Sequence, residues 1–308
     1  MDLDISYPNA TSQISTAVLV VVTLIAPAVI IAVIALIFFP PLSTRSQMKS
    51  ANFWRLKLWE FNAGWMGLAL SYVLAFFITQ GIKNIFGKPR PDLLARCQPD
   101  LNNIAQYVVG GYGQDISSRW TLVSSAICTQ PDQSILNDGF RSFLSGHASS
   151  SWAGLLYLSL WLALKLNVSI PIIQPYANRN EDDSRESDLP IHRDAHYIRT
   201  SSSAPPIFGI VIILIPISVA IYICSTRWVD FKHHGFDIIS GSVLGILTAW
   251  FGFRMYHSSL TQGRTWTWAP RSTEDAFAIS SGRAGWEDRM GMKGREVDVA
   301  SQEQGLTL

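Results

Sequence analysis

The sequence predicts an all-α protein, a polytopic membrane bundle of about five transmembrane helices. Composition points there first: 48% of the 308 residues are hydrophobic and only 15% are charged. The apolar residues also cluster, in uncharged runs at 16–39, 61–82, 148–164, 204–224 and 238–253. A helix needs about 20 apolar residues to cross a bilayer, and these runs are of that order. A net charge of +1 gives no electrostatic reason to expect a nucleic-acid partner.

The first run follows the leader MDLDISYPNATSQIS, which is acidic rather than basic. The run is also longer than a signal-peptide core of about 7–15 residues, so it reads as a first transmembrane helix. The next link, 40–60, carries Arg45, Lys49, Arg55 and Lys57 against Glu60. That basic bias places it in the cytosol. Alternation then puts residues 1–15 outside as a short N-terminus, 83–141 outside, 165–203 inside, 225–236 outside and the tail, 257–308, inside. The stretch 176–203 contains NRNEDDSRESD and is expected to be a disordered cytosolic insertion, as is the Ser- and Gly-rich tail. Pro27 and Pro216 interrupt spans and are expected to kink them. Trp65, Trp161, Trp228 and Trp250 lie in or next to spans, where interface anchoring or lipid-facing packing is the default.

Cys97 and Cys128 both fall in the long outer loop, where an oxidising compartment favours a disulfide. Cys224 ends a span and reads as a packing residue. The sequon Asn9-Ala10-Thr11 is on the outer side and is a candidate for glycosylation at Asn9.

Chemistry concentrates in the links on the outer side. The link before the last run reads STRWVDFKHHGFD and contains Arg227, His233 and Asp237 spaced R-x5-H-x3-D. If the last helix extends back one turn, His233 and Asp237 share a face. A carboxylate there accepts the imidazole Nδ1–H and leaves Nε2 as a nucleophile or base. His234 has no such partner in this reading. The stretch KNIFGKPRP, where the second run ends, holds Lys83 and Arg90, which can converge on one anion. Before the third run stands SFLSGH. A helix starting near Ser145 aims the N–H groups of Ser145, Gly146 and His147 outward, with the positive end of its dipole. Three cations, a backbone cradle and two histidines suit a tetrahedral oxyanion. The nearby carboxylates, Asp92, Asp230 and Asp237, are few for a magnesium site, so no metal or other cofactor is expected.

The three motifs K-x6-RP, SGH and R-x5-H-x3-D, in this order and between spans, resemble the type 2 phosphatidic acid phosphatase family of lipid phosphate phosphatases. Within it the likeness is greatest to the fungal diacylglycerol pyrophosphate and phosphatidate phosphatases. It runs from about residue 4 to 256. The resemblance implies phosphate binding by Lys83, Arg90, Arg227, Ser145 and Gly146, a general acid at His147, a nucleophile at His233 and an orienting aspartate at Asp237. It also implies hydrolysis of a lipid phosphate monoester or pyrophosphate through a phosphohistidine, without metal, on the extracytosolic face. The partner is then a lipid phosphate substrate in the bilayer. Protein partners and the organelle are left open. The family carries Pro where Leu144 stands, Ser where Thr226 stands, and six spans rather than five. The segment DISYPNA resembles the family's loop after its first helix, so that helix is the one expected to be missing. A lipid phosphotransferase of related fold, and a phospholipid-binding membrane protein without catalysis, are the alternative readings.

Overall fold

The computed structural model describes residues 3–38, 50–111, 121–166, 168 and 207–257. The insertion expected at 176–203 and the tail beyond His257 lie outside the described residues. The fold is a bundle of long helices: α1 (Thr16–Phe38), α2 (Ser50–Phe86), α5 (146–165), α6 (Ile207–Val229) and α7 (Gly235–Tyr256). Between α2 and α5 lie two short helices, α3 (Leu93–Cys97) and α4 (Gln133–Gly139), and a two-stranded antiparallel ribbon, β1 (Val108–Gly111) with β2 (Thr121–Val123). The Cys97 and Cys128 sulfurs are bonded to each other and close this segment.

Four of the helices, α1, α2, α6 and α7, are long and apolar enough to cross a membrane. The expected fifth span, α5, is of spanning length, about 30 Å at 1.5 Å per residue, but it differs in kind. It carries Ser149, Ser150, Ser151 and Ser159, all buried, because it is the central helix and faces protein rather than lipid. Its neighbours show the reverse pattern, with exposed Phe76, Phe77, Ile215, Val243 and Phe251. Such an apolar exterior is what a lipid-facing surface requires. Trp161 follows the central helix inward. It is fully buried among Ile31, Leu68, Leu162 and Phe253, not at an interface as expected from its type. Trp65, Trp228 and Trp250 are exposed.

Local sequence explains how the helices approach so closely. Ser15 caps α1, its Oγ accepting the Val18 N–H at 3.3 Å. Four residues after Thr23 stands Pro27, which has no N–H to give the Thr23 carbonyl. The helix takes a π turn over Val21–Ile25 there. The same carbonyl lies against Gly154 of α5, at a second π turn, Trp152–Leu156. A Cβ added to Gly154 would fall 1.7 Å from the Thr23 oxygen. Glycine at 154 is therefore a packing requirement. On α7, Gly241 and Gly245 form a small-xxx-small face against the start of α5. Added Cβ atoms would stand 2.7 Å from the Ser145 oxygen and 2.5 Å from the Ser149 oxygen.

The helices alternate in direction, so one end of the bundle collects the start of α1, the end of α2, the start of α5, the end of α6 and the start of α7. The other end holds a buried ion pair between Lys165 and Glu60 and a Tyr157 hydroxyl that donates to the Gly64 carbonyl at 2.9 Å. Gly245→Val is expected to push α7 off α5 and to destabilise the protein by about 1–3 kcal/mol through overpacking. A lowered thermal midpoint in detergent checks this; an unchanged midpoint would show that the crossing is looser than described.

Candidate active site

Each motif reaches the site end of the bundle for a local reason. Lys83 sits in the last turn of α2. The helix then ends at Gly87, whose φ of 55° is the left-handed turn that glycine adopts without strain. The turn brings Lys88 inward, where its Nζ lies 2.7 Å from Asp237 Oδ1. It also lets the Arg90 N–H donate to the Gly139 carbonyl at 2.8 Å. The Arg90 guanidinium pairs with Asp138 through Nη2 at 2.7 Å, while its buried Nε finds no acceptor.

Ser145 is the N-cap of α5, and its Oγ accepts the Ala148 N–H at 3.4 Å. Its own N–H is not free, contrary to the expectation from sequence. It donates to the Asp237 carbonyl at 3.1 Å, because α7 packs so close through Gly241. The N–H groups of Gly146 and His147 have no acceptor among the described residues. A Cβ added to Gly146 would lie 3.6 Å from Lys83 Nζ, so the ammonium stands over the helix start.

The expected hydrogen bond between His233 and Asp237 is absent. The last helix begins at Gly235 with His234 as N-cap, so His233 lies outside it and loses the shared face. Its Nδ1 instead donates to the Ser142 carbonyl at 2.8 Å. Asp237 is the third residue of α7 and turns back, accepting the His234 N–H at 3.2 Å. His234, expected to have no carboxylate partner, has its Nδ1 3.3 Å from Asp237 Oδ2. Asp237 still supports His233, but through Ser142, whose Oγ donates to Asp237 Oδ2 at 2.5 Å.

Arg227 is almost fully buried near the end of α6. Its Nη2 pairs with Asp230 at 2.6 Å and its Nη1 donates to Ser12 Oγ at 2.7 Å. The link's other lysine, Lys232, pairs with buried Asp92 at 2.9 Å, and Arg96 joins Asp92 to Asp138. Four carboxylates, Asp92, Asp138, Asp230 and Asp237, are thus each matched to a cation. Lys83 has no carboxylate within ion-pair distance among the described residues.

The field at His233 is therefore cationic. Burial first, then Arg90, Lys83 and His147, hold its ring well below the ordinary histidine value of 6.5. Burial likewise lowers Arg90, though a guanidinium keeps its proton. A neutral His233 with Nδ1–H fixed on a carbonyl presents a bare Nε2 lone pair. Around it stand an unpaired ammonium, an orphan guanidinium N–H and two open backbone donors. Leaving a buried donor such as Arg90 Nε unsatisfied costs about 1–3 kcal/mol, which a bound anion recovers.

The structure brings together Lys83, Arg90, Gly146, His147 and His233. It commits Ser145 to capping and Arg227 to Asp230 and Ser12. Sequence reasoning missed Ser142, Lys88 and Lys232, although all three stand inside the stretches it singled out. Asp138, in the last turn of α4, had no local signal, because it meets Arg90 and Arg96 only through the fold.

His233 is expected to be neutral at pH 6, with its proton on Nδ1. Between its depressed native value and 6.5 the unfolded chain binds a proton that the native chain does not. Its contribution therefore lowers stability as pH falls through 6.5 and is absent above it. Nitrogen NMR of histidine-labelled protein checks the ring directly, and a doubly protonated His233 at pH 6 would contradict the assignment.

The PAP2 superfamily profile matches residues 64–260. The chain is 29% identical to diacylglycerol pyrophosphate phosphatase 1 of Saccharomyces cerevisiae, over 82% of this chain and 68% of that protein. It is 30% identical to the probable diacylglycerol pyrophosphate phosphatase 1 of Schizosaccharomyces pombe, over 82% and 69%. Lipid phosphate phosphatase 2 of Arabidopsis thaliana is 27% identical over 66% of this chain and 54% of that protein. No solved structure matches. With a profile match across most of the bundle and relatives aligned over most of its length, the chain belongs to the PAP2 superfamily.

Proposed function

We propose that this protein is a multi-pass membrane phosphatase that hydrolyses lipid phosphates such as phosphatidate or diacylglycerol pyrophosphate. One observation carries the reading. Lys83, Arg90 Nε and the Gly146 and His147 N–H groups are unsatisfied around a neutral His233 whose tautomer is fixed. The relatives' names give the substrate class, and the exposed apolar flanks of α2, α6 and α7 fit a substrate that stays anchored in the bilayer.

The chemistry runs in two steps. The phosphoryl oxygens take the place of the missing acceptors at Lys83, Arg90 and the start of α5. His233 Nε2 attacks phosphorus, forming a P–N bond as the P–O bond to the lipid breaks. His147 gives its proton to the leaving oxygen. Water, deprotonated by His147, then attacks the phosphohistidine and returns His233 with release of phosphate. Ser142, Asp237 and Lys88 keep the His233 ring in place throughout. No step calls for a metal, since the site's carboxylates already hold cations.

The site faces the extracytosolic side in this reading. The basic link at 40–60 supports that orientation, and so does the Cys97–Cys128 bond on the same segment as the site. The lipid's products are diacylglycerol from phosphatidate and phosphatidate from its pyrophosphate.

Phosphate release by the purified chain in detergent, with chelator present, tests this. Release from phosphatidate, its pyrophosphate analogue or lysophosphatidate is expected. His233→Ala should abolish it and His147→Ala should lower kcat roughly 10²–10⁴-fold. Activity that vanishes in chelator and returns with magnesium would overturn the metal-free mechanism, and full turnover by His233→Ala would overturn the nucleophile. Transfer of phosphate to an added lipid rather than to water would mark a phosphotransferase. Cysteine at exposed Leu122 should label only from the extracytosolic side of sealed vesicles; labelling from the cytosolic side would invert the orientation.

A further inference from the structure

Residues 7–14 lie across the site and touch it at successive points. The Tyr7 N–H donates to the Pro91 carbonyl at 3.0 Å, and its ring stacks on Phe231 with centroids 4.8 Å apart. Asn9 Oδ1 accepts from Lys232 Nζ at 2.7 Å. Ser12 Oγ accepts from Arg227 Nη1 at 2.7 Å. The Gln13 N–H donates to Asp230 Oδ2 at 3.0 Å. The Ile14 carbonyl lies 3.3 Å from His147 Nε2. All of these residues precede the stretch that the family profile matches, 64–260. Yet they reach the residue before the nucleophile, the buried arginine of the last motif and the histidine of SGH.

The Ile14 contact has a chemical consequence. A carbonyl oxygen only accepts, so the nitrogen facing it must carry a proton. His147 therefore holds its Nε2 proton against Ile14. The proton it can surrender without breaking that bond is the one on Nδ1. A histidine with one nitrogen pinned in this way has a defined tautomer and ring orientation. The pin itself is held by Gln13, whose N–H is fastened to Asp230, the same carboxylate that pairs with Arg227.

We propose that residues 7–14 are an active-site strap, in which the Ile14 carbonyl positions His147 so that its Nδ1–H protonates the leaving oxygen. The proposal rests on the function above and extends it to a segment outside the three motifs. With the phosphate dianion bound beside it, His147 takes up a second proton, on Nδ1, and in the first step this imidazolium gives that proton to the departing oxygen as the P–O bond breaks. It becomes neutral His147, still donating from Nε2 to Ile14. Ile14 is a positioning residue: it acts on the substrate only through His147.

A strap that merely braces the fold and a strap that aims the acid differ in one readout. Phosphatidate leaves an alkoxide, a poor leaving group that needs a proton. The pyrophosphate lipid leaves a phosphate monoester, whose second ionisation lies near pH 6, so it needs little help. Loss of the acid therefore slows phosphoenzyme formation from the first substrate more than from the second, whereas hydrolysis of the phosphohistidine, where His147 acts as base, is the same step for both.

The test is the single-turnover rate of phosphoenzyme formation from both lipids, for the full chain and for Gln13→Pro, which removes the N–H that fastens the strap. A two-glycine insertion between Thr11 and Ser12 slackens the same segment and serves if Gln13→Pro does not fold. Thermal midpoints in detergent identify a variant that is folded. A folded variant is expected to lose about 10²-fold in that rate with phosphatidate, within the range for a misplaced general acid, and no more than roughly threefold with the pyrophosphate lipid. An equal fall on both substrates, or no fall on either, would overturn the proposal. If the unaltered chain turns over neither lipid, the function fails rather than the strap.

Discussion

The site depends on one buried carboxylate. Asp237 is fully buried, and removing such a charge from water costs several kcal/mol unless it is paired and hydrogen-bonded. Lys88 supplies the pair, and Ser142 Oγ and the His234 N–H supply hydrogen bonds. Each donor comes from a different motif stretch: KNIFGKPRP, SFLSGH and the link before α7. The backbone carbonyl of Asp237 adds a fourth tie, to the Ser145 N–H. Satisfying this single group therefore fixes three loops from three helix ends in one register. The position of His233 follows, because the Ser142 carbonyl that holds its ring is anchored by the same aspartate.

A second constraint is electrostatic. The end of the bundle gathers Lys83, Lys88, Arg90, Arg96, Arg227 and Lys232, and their mutual repulsion is held down by Asp92, Asp138, Asp230 and Asp237. The matching is incomplete at Lys83 and at Arg90 Nε. An anion is attracted there, while burial, reinforced by the same positive field, keeps the His233 ring unprotonated. One arrangement of charge thus serves both the proposed phosphate cradle and the proposed nucleophile beside it. Helix packing maintains it: Gly154, Gly241 and Gly245 let backbones approach so that loops at the helix ends can meet.

Much of this was legible in the sequence. Uncharged runs located the long helices, and Ser145 before a glycine marked the start of α5. The candidate site residues were singled out by spacing. What the spacing could not give was the pairing among them. His233 and Asp237 are four apart, which on a helix means contact, but a helix that starts at Gly235 makes that separation meaningless. The Ser145 N–H is taken by a residue almost a hundred positions later, through a helix crossing that no local pattern announces. The central place of α5 was only half visible. Its four serines argue against a lipid-facing helix, whereas its length and lack of charge argue for one. Trp161 was misplaced for the same reason.

The central claim is that His233 Nε2 carries the phosphoryl group. Rapid quenching of the chain with lipid labelled in the scissile phosphate, followed by digestion and mass spectrometry under alkaline conditions, tests it most directly. The account predicts an acid-labile, base-stable phosphate on the peptide containing residue 233, localised to that histidine and formed fast enough to account for turnover. Phosphate on His147, on a serine or on an aspartate, or steady turnover with no phosphoenzyme, would contradict it.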